Sequence, residues 1–473
     1  MNLLTVAILL LVVWAIGFFI VRPFCQRRLC VRMSDKRLKG DDKLDFGKGF
    51  LFGTATAAWQ IEKDVHPSNW SLFEQKDKAD GTKCAPPHLD ACDGMNHFKE
   101  DLEIMSSINC QSYRFGLSWS AMNPEKGKFD KAYLQNYVSW CDQLKAKGIE
   151  PMVTLWHFEY PSWLAVEGGI LAPQFSKYFE EFVVFVLEGL RGHCTWFYTI
   201  NEPVVYSHAA YATGIFPPGD NDLKKFFRAC AELMNCHAIA YRLIHQNIPD
   251  AQVSFAKHVL PFFPLHNWSI IESVFAYINN SFNTVVMDSI ITGKIRFSFF
   301  GFTLYERIIE GLKDSIDFIG INHYYISWAS IVPSDWDSRS FLNPPFSQNL
   351  KVNQKSDFGW SLCPESLSMV VRWFHKEWNP RNLPIIISEH GTSDKSDEKR
   401  QWFMLDSLAH LHEAKIQHKV PVIGYTHWSL LDNYEWAAGY QQRFGLVDVN
   451  FETQQRRPRP SSQLFKAIAA RSK

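Results

Sequence analysis

No sign of charge predominates in this chain. Its 473 residues carry 49 lysines and arginines against 49 aspartates and glutamates, a formal net charge of zero. Without a positive field to attract a phosphate backbone, no nucleic-acid partner is expected. Metal-ligand and CxxC spacings are missing as well. The ten cysteines form no framework pattern, which argues against a disulfide scaffold and fits a reducing compartment. No GxGxxG turn follows a strand-like run, so the usual sign of a dinucleotide site is lacking. Neither a metal nor a cofactor is expected, and no internal repeat or second folded domain is visible.

One absence is local. From Leu3 to Val21 no residue is charged, and the run is about as long as a bilayer-spanning helix requires. A basic start and a small-residue cleavage site are lacking, so the run reads as a retained transmembrane helix over residues 1–22 and not as a removed signal. Arg22, Arg27, Arg28, Arg32, Lys36, Arg37 and Lys39 crowd its C-terminal side. By the positive-inside rule they place the large domain on the cytoplasmic face of a single-pass membrane protein. Residues 23–48 then read as a basic, polar linker, and 49–470 as the folded domain.

What is present begins with an apolar content of 46%, enough for a large core, and 17 tryptophans, which suit a site that stacks on flat apolar faces as well as a packed interior. Eight short β-rich runs alternate with stretches of three- and four-residue apolar spacing. The runs are Phe50–Ala57, Ser112–Ser118, Glu150–His157, Trp196–Asn201, Ala251–His258, Ile316–His323, Pro384–Glu389 and Pro421–Trp428. This alternation predicts a single (β/α)8 TIM barrel. Such a barrel gathers its chemistry at the C-terminal ends of the strands. Polar residues stand there repeatedly: Gln60 and Glu62 after the first run, Arg114 and Ser118 on the second, His157 on the third, Asn201 and Glu202 at the fourth. Asn322 and Tyr324 follow the sixth, Glu389 ends the seventh, and Trp428 ends the eighth.

Cleavage of a glycosidic bond with retention needs one carboxylic acid to protonate the leaving oxygen and one carboxylate to attack the anomeric carbon. Glu202 in WFYTINEP and Glu389 in PIIISEHG both emerge from apolar runs, where an isolated carboxylate is expensive to bury. A strand-end glutamate also has a plain structural use, pairing an arginine or capping a helix. The surrounding motifs decide between these readings. FLFGTATAAWQIE, YRFGLSWS, GIEPMVTLWHFEYPSWL, WFYTINEP, IDFIGINHYY, PIIISEHG and GYTHWSLLDNYEWAAGYQQRFGLV, in this order, resemble the family 1 glycoside hydrolases, the β-glucosidase family, from Phe50 to Lys466.

The resemblance implies a retaining O-glycosyl hydrolase of β-D-glucosides or β-D-galactosides, with Glu202 as acid/base and Glu389 as nucleophile. It implies that Asn201 binds the sugar 2-hydroxyl and that Arg114 and Tyr324 hold the nucleophile, with Asn322 in the same network. Gln60, His157, Trp428, Glu435 and Trp436 match the family's sugar-holding positions, and the last motif reaches Phe444 at the pocket. Three positions depart from the family pattern. His390 replaces the common asparagine after the nucleophile, which places a titratable ring next to Glu389. Phe158 replaces a tryptophan, and His323 a tyrosine. The segment between Glu62 and Trp70 is short.

The sequence after Glu389, together with the apolar N-terminus, is similar to the branch that holds plant membrane-bound galactolipid-remodelling enzymes and archaeal β-glycosidases. That branch implies a second reading, transfer of a sugar between glycolipids through the same covalent intermediate. A third reading is a barrel that has lost catalysis and only binds. The expected partners are a carbohydrate or glycolipid substrate, and a membrane reached through the N-terminal helix.

Overall fold

The computed structural model describes residues 3–27, 44–63, 66–266, 268–330 and 354–472. Eight parallel strands close into a barrel in chain order, each paired to the next and the last to the first. They are β1 (Leu51–Thr56), β2 (Ser112–Gly116), β3 (Glu150–Trp156), β4 (Trp196–Asn201), β5 (Gln252–His258), β6 (Ile319–Asn322), β7 (Ile385–His390) and β8 (Val422–Trp428). Every one overlaps a run expected from the sequence.

Periodicity explains the outer layer. In the helix Phe175–Leu190, Phe175, Phe179, Phe182, Val186 and Leu190 recur at three- and four-residue spacing and are all buried. Phe182 stacks on Trp119, ring centroids 4.9 Å apart. Inside the barrel, Met152, Tyr198, Ala256, Phe318 and Ile386 form a small apolar cluster. Such a cluster fills the barrel from below, so the mouth is a floored pocket and not a channel. Gly391, just past β7, is required by space alone: a Cβ there would lie 2.0 Å from the Trp428 carbonyl oxygen. Its lack of a side chain lets the strand carrying Glu389 lie close against β8.

The N-terminal expectation needs correction. Among the described residues no helix is long and apolar enough to cross a membrane. The apolar run is divided into an α-helix Leu3–Ile16, a π-helical turn Gly17–Val21 and a short helix Arg22–Arg27. A helix of 14 residues rises about 21 Å, short of the roughly 30 Å of a bilayer's hydrocarbon. From Gly17 onward the chain packs on the barrel. Phe24 lies 5.5 Å from Tyr277 of the helix Ile270–Thr292, and Cys25 is buried. The polar-linker reading of 23–48 fails at its end as well. Leu44 and Phe46 are buried, with Phe46 against Phe50 and Phe52 in the core, while 28–43 lie outside the described residues.

Candidate active site

The twelve site residues expected from the sequence converge at the C-terminal mouth of the barrel. A cleft of about 920 Å³, including its open mouth, is lined among others by His157, Asn201, Glu202, Tyr324, Glu389 and Glu435. Trp428, Trp436 and Phe444 supply flat apolar walls. Gln60, Arg114 and Asn322 stand behind these and reach them by hydrogen bonds.

Backbone geometry aims the two glutamates. Glu202 sits in the left-handed region at φ 44°, between β4 and the helix Pro203–Tyr211, and its N–H donates to the Ala256 carbonyl at 2.9 Å. A non-glycine residue rarely adopts this conformation, and it persists here between a strand end and a proline that starts a helix. Glu389 lies on β7 opposite Asn322 of β6, beyond an irregularity in the pairing.

The two carboxyls are held differently. Glu389 receives the Arg114 guanidinium on Oε1 and the Tyr324 hydroxyl on Oε2, the latter at 2.6 Å. Arg114 is fixed in turn by Thr154 Oγ1 at 3.0 Å and Asn201 Oδ1 at 2.7 Å, with its guanidinium 4.7 Å from the Tyr198 ring. A buried ion pair is tolerable when the remaining donors are satisfied in this way. Among the described residues no cation pairs with Glu202. Its Oε1 accepts from Asn322 Nδ2 at 2.7 Å, and Ser388 orients Asn322 by donating to its Oδ1 at 2.7 Å. Burial first, and the Glu389 charge second, push the Glu202 pKa up to about 8. Glu202 therefore carries a proton at neutral pH.

The sugar-holding candidates have unused polar atoms. Asn201 Oδ1 accepts from both Arg114 and Asn322, so its Nδ2 faces His157 Nε2 at 2.9 Å. That contact makes Nε2 the acceptor and puts the His157 proton on Nδ1, which has no protein partner. Burial and nearby Arg114 hold the imidazole well below its usual pKa, hence neutral. Gln60 spends Nε2 on Asn433, Tyr434 and Glu435, and leaves Oε1 without a partner. Burial, and then the Glu389 charge, raise Glu435 to about 8.

His390 does not tune the nucleophile by titration. Alternation along β7 turns it away from the cleft, where it stacks on Phe403 at 4.9 Å and meets the Tyr425 hydroxyl at 3.0 Å. Burial keeps it well below the usual histidine range, so it is neutral. His323 is likewise a neutral packing residue, bonded to the Val259 carbonyl and Ser366 and pushed down to about 4 by burial. Phe158 lines the cleft, and its carbonyl accepts the Trp70 indole N–H at 3.0 Å.

Sequence reasoning missed several lining residues. His258 ends β5 much as His157 directly follows β3, and the strand-end rule that found the others would have found it. Tyr325, Phe358 and Trp360 form a stacked wall, with centroids 4.7 Å apart on each side of Trp360. The last two come from a loop, where no strand register marks them.

Lys257 was missed too, although a lysine in the apolar run VSFAKHV is itself a signal. It is buried with Nζ bonded to Asn283 Oδ1 at 2.6 Å and to the His258 carbonyl; burial lowers its pKa to about 7, opposed by Glu202 and Cys230. Its positive charge in turn pulls the Glu202 pKa down. With a pKa near 7, Lys257 is mostly neutral by the pH at which Glu202 titrates, so Lys257→Met is expected to move the alkaline limb of kcat/KM only slightly. A pH–rate profile beside wild type measures this, and a limb displaced by a full unit or more would show that Lys257 stays charged while Glu202 titrates.

The chain matches the profile described as Glycosyl hydrolase family 1 over residues 42–473. It is 31% identical over 458 residues to β-glucosidase A of Acetivibrio thermocellus, covering 90% of this chain and 98% of that one. A β-glycosidase from Pyrococcus horikoshii is 32% identical with a TM-score of 0.79, covering 91% of this chain and 96% of that one. A β-glucosidase from Thermotoga maritima in complex with deoxynojirimycin is 28% identical with a TM-score of 0.77, covering 90% and 99%. A match that runs from before the first strand to the last residue, on a barrel whose mouth holds two buried glutamates, places the chain in glycosyl hydrolase family 1: it is a β-glycosidase.

Proposed function

We propose that this β-glycosidase hydrolyses β-D-glucosides and β-D-galactosides with retention, Glu389 acting as nucleophile and Glu202 as acid/base. The observation that carries the reading is the unequal setting of the two carboxyls. One lies in the grip of Arg114 and Tyr324 and is suited to attack as an anion; the other is kept protonated by burial and by the first one's charge.

In the first step a Glu389 oxygen bonds to the anomeric carbon while Glu202 gives its proton to the departing oxygen. The glycosyl ester removes the negative charge from Glu389, and with it one cause of the high Glu202 pKa. Glu202, now a carboxylate, takes a proton from water as that water attacks the same carbon and releases Glu389. Two inversions give net retention.

Arg114 and Tyr324 keep both Glu389 oxygens oriented, and Asn201 has an amide hydrogen left for a sugar hydroxyl beyond the one facing His157. His157 Nδ1–H, Gln60 Oε1 and Glu435 meet further hydroxyls, with Trp428 and Trp436 against the apolar ring face. The names of the relatives favour glucose. With both carboxyls and their partners in place, nothing favours the purely binding reading.

A panel of aryl β-D-glycosides tests the proposal, followed by proton NMR in the first minutes. Turnover of the glucoside and galactoside with the β-anomer of free sugar appearing first is expected. Early α-anomer would mean an inverting enzyme, and folded protein inert on every member would overturn the reading.

A further inference from the structure

We propose that the protein has a second small-molecule site, outside the catalytic cleft, which takes a compact carboxylate with an aromatic or alicyclic body. A cavity of about 1110 Å³, including its open mouth, lies among the turn Gly168–Pro173, the segment after the helix Pro203–Tyr211 and the start of the helix Leu223–Asn247. It shares no lining residue with the cleft. The two have a wall in common: Phe216 faces the cleft, while Pro217 and Pro218, next in the chain, face the cavity. Hydrogen bonds stitch this wall together. Tyr206 donates to the Pro217 carbonyl at 3.0 Å, and Asn69 Nδ2 donates to the Tyr206 hydroxyl and to the Phe158 carbonyl, each at 3.0 Å.

Glycine keeps part of the cavity open. Gly168 and Gly169 have φ of 110° and 58°, and a Cβ on Gly169 would lie 2.5 Å from the Tyr160 hydroxyl oxygen, so a side chain there would fill the space beside it. Tyr211 lines the same cavity and is 1% exposed, and its hydroxyl has no hydrogen-bond partner. A buried donor without an acceptor is costly, and an acceptor on a ligand held here would satisfy it. Burial pushes the Tyr211 phenol well above its usual pKa, so it keeps its proton to donate.

Charge selects the head of the ligand. Both lining anions are already compensated: Asp220 pairs with Lys225 at 2.7 Å, and Glu167 pairs with Lys126 at 2.6 Å. Two lining cations are not. Lys76 gives its Nζ to the neutral Pro218 carbonyl at 2.8 Å, and Arg228 has neither a hydrogen bond nor an ion pair among the described residues. A carboxylate offers two oxygens for a guanidinium fork, an ammonium and a phenol. Leu72, Phe73, Pro173 and Pro217 give apolar surface to the body behind it. Inorganic phosphate has the charge without the body, and a neutral amide has the body without the charge.

Calorimetric titration of the full chain with sodium benzoate, sodium cyclohexanecarboxylate, benzamide and sodium phosphate tests this. Saturable binding of the two carboxylates is expected, with benzamide and phosphate weaker by about tenfold or more. Lys76→Gln/Arg228→Gln is expected to weaken benzoate binding by about tenfold or more, and Tyr211→Phe by about fivefold. Both variants keep the wild-type circular dichroism, which reports that they fold. Kinetics on an aryl β-glucoside locate the bound acid, because an occupant of this cavity does not exclude substrate from the cleft. Four outcomes overturn the proposal: no saturable binding of either carboxylate, benzamide or phosphate binding as tightly as benzoate, variants that bind benzoate as wild type does, or purely competitive inhibition by benzoate with a constant equal to the calorimetric one.

Discussion

Glu389→Gln is expected to lower kcat/KM on an aryl β-glucoside on the order of 10⁶-fold, the scale of losing a covalent nucleophile. The amide keeps the shape of the side chain and an oxygen for Arg114 and Tyr324, so the barrel is expected to keep its circular dichroism and most of its thermal stability. The smaller Glu389→Ala separates a chemical role from a structural one. It opens a space beside the anomeric carbon on the side from which Glu389 attacks. Azide entering that space displaces the aryl group in a single inversion, and the expected product is the α-glycosyl azide. Turnover by Glu389→Ala close to wild type, or a β-azide from it, would remove Glu389 from the nucleophile's place.

Glu202→Ala gives the second large effect, with a different signature. A general acid contributes roughly 10²- to 10⁴-fold. The loss is expected to be large for substrates whose leaving group needs a proton and small for dinitrophenyl glycosides, whose phenolate leaves unaided. Azide here replaces water in the second step and attacks the glycosyl–Glu389 intermediate from the opposite face, so the β-glycosyl azide is expected.

The pH profile carries the sign of the same assignment. With a pKa near 8, Glu202 is protonated and competent below that value, and activity falls as pH rises through it. In Glu202→Ala this alkaline limb is expected to disappear. A limb that persists unchanged would assign the titration to another group, and Glu435, also near 8, is the first to examine by substitution.

The barrel and the strand-end residues at its mouth were legible from local rules, whereas the family, and with it Glu435, Trp436 and Phe444 beyond the last strand, came from the resemblance of the motifs. Strand-forming runs alternate with helical ones, and in a closed parallel barrel the end of every strand points to one mouth, so listing strand ends finds the part of the site that the strands carry. His258 shows the rule reaching further than it was applied. Loop residues such as Phe358 and Trp360 escape it, because their placement follows from what the loop packs against.

Three matters were decided only by the tertiary structure. Next to Glu389 in sequence, His390 lies on the opposite face of β7 and is neutral, because alternation and burial outweigh adjacency. Lys257 influences Glu202 from a neighbouring strand, a relation of space with no trace in spacing along the chain. The apolar N-terminal run satisfies a count of uncharged residues, yet its second half packs on the helix Ile270–Thr292, which leaves too short a free helix to cross a bilayer. Composition establishes that such a segment must be covered, but whether protein or lipid covers each turn depends on what the folded barrel sets beside it.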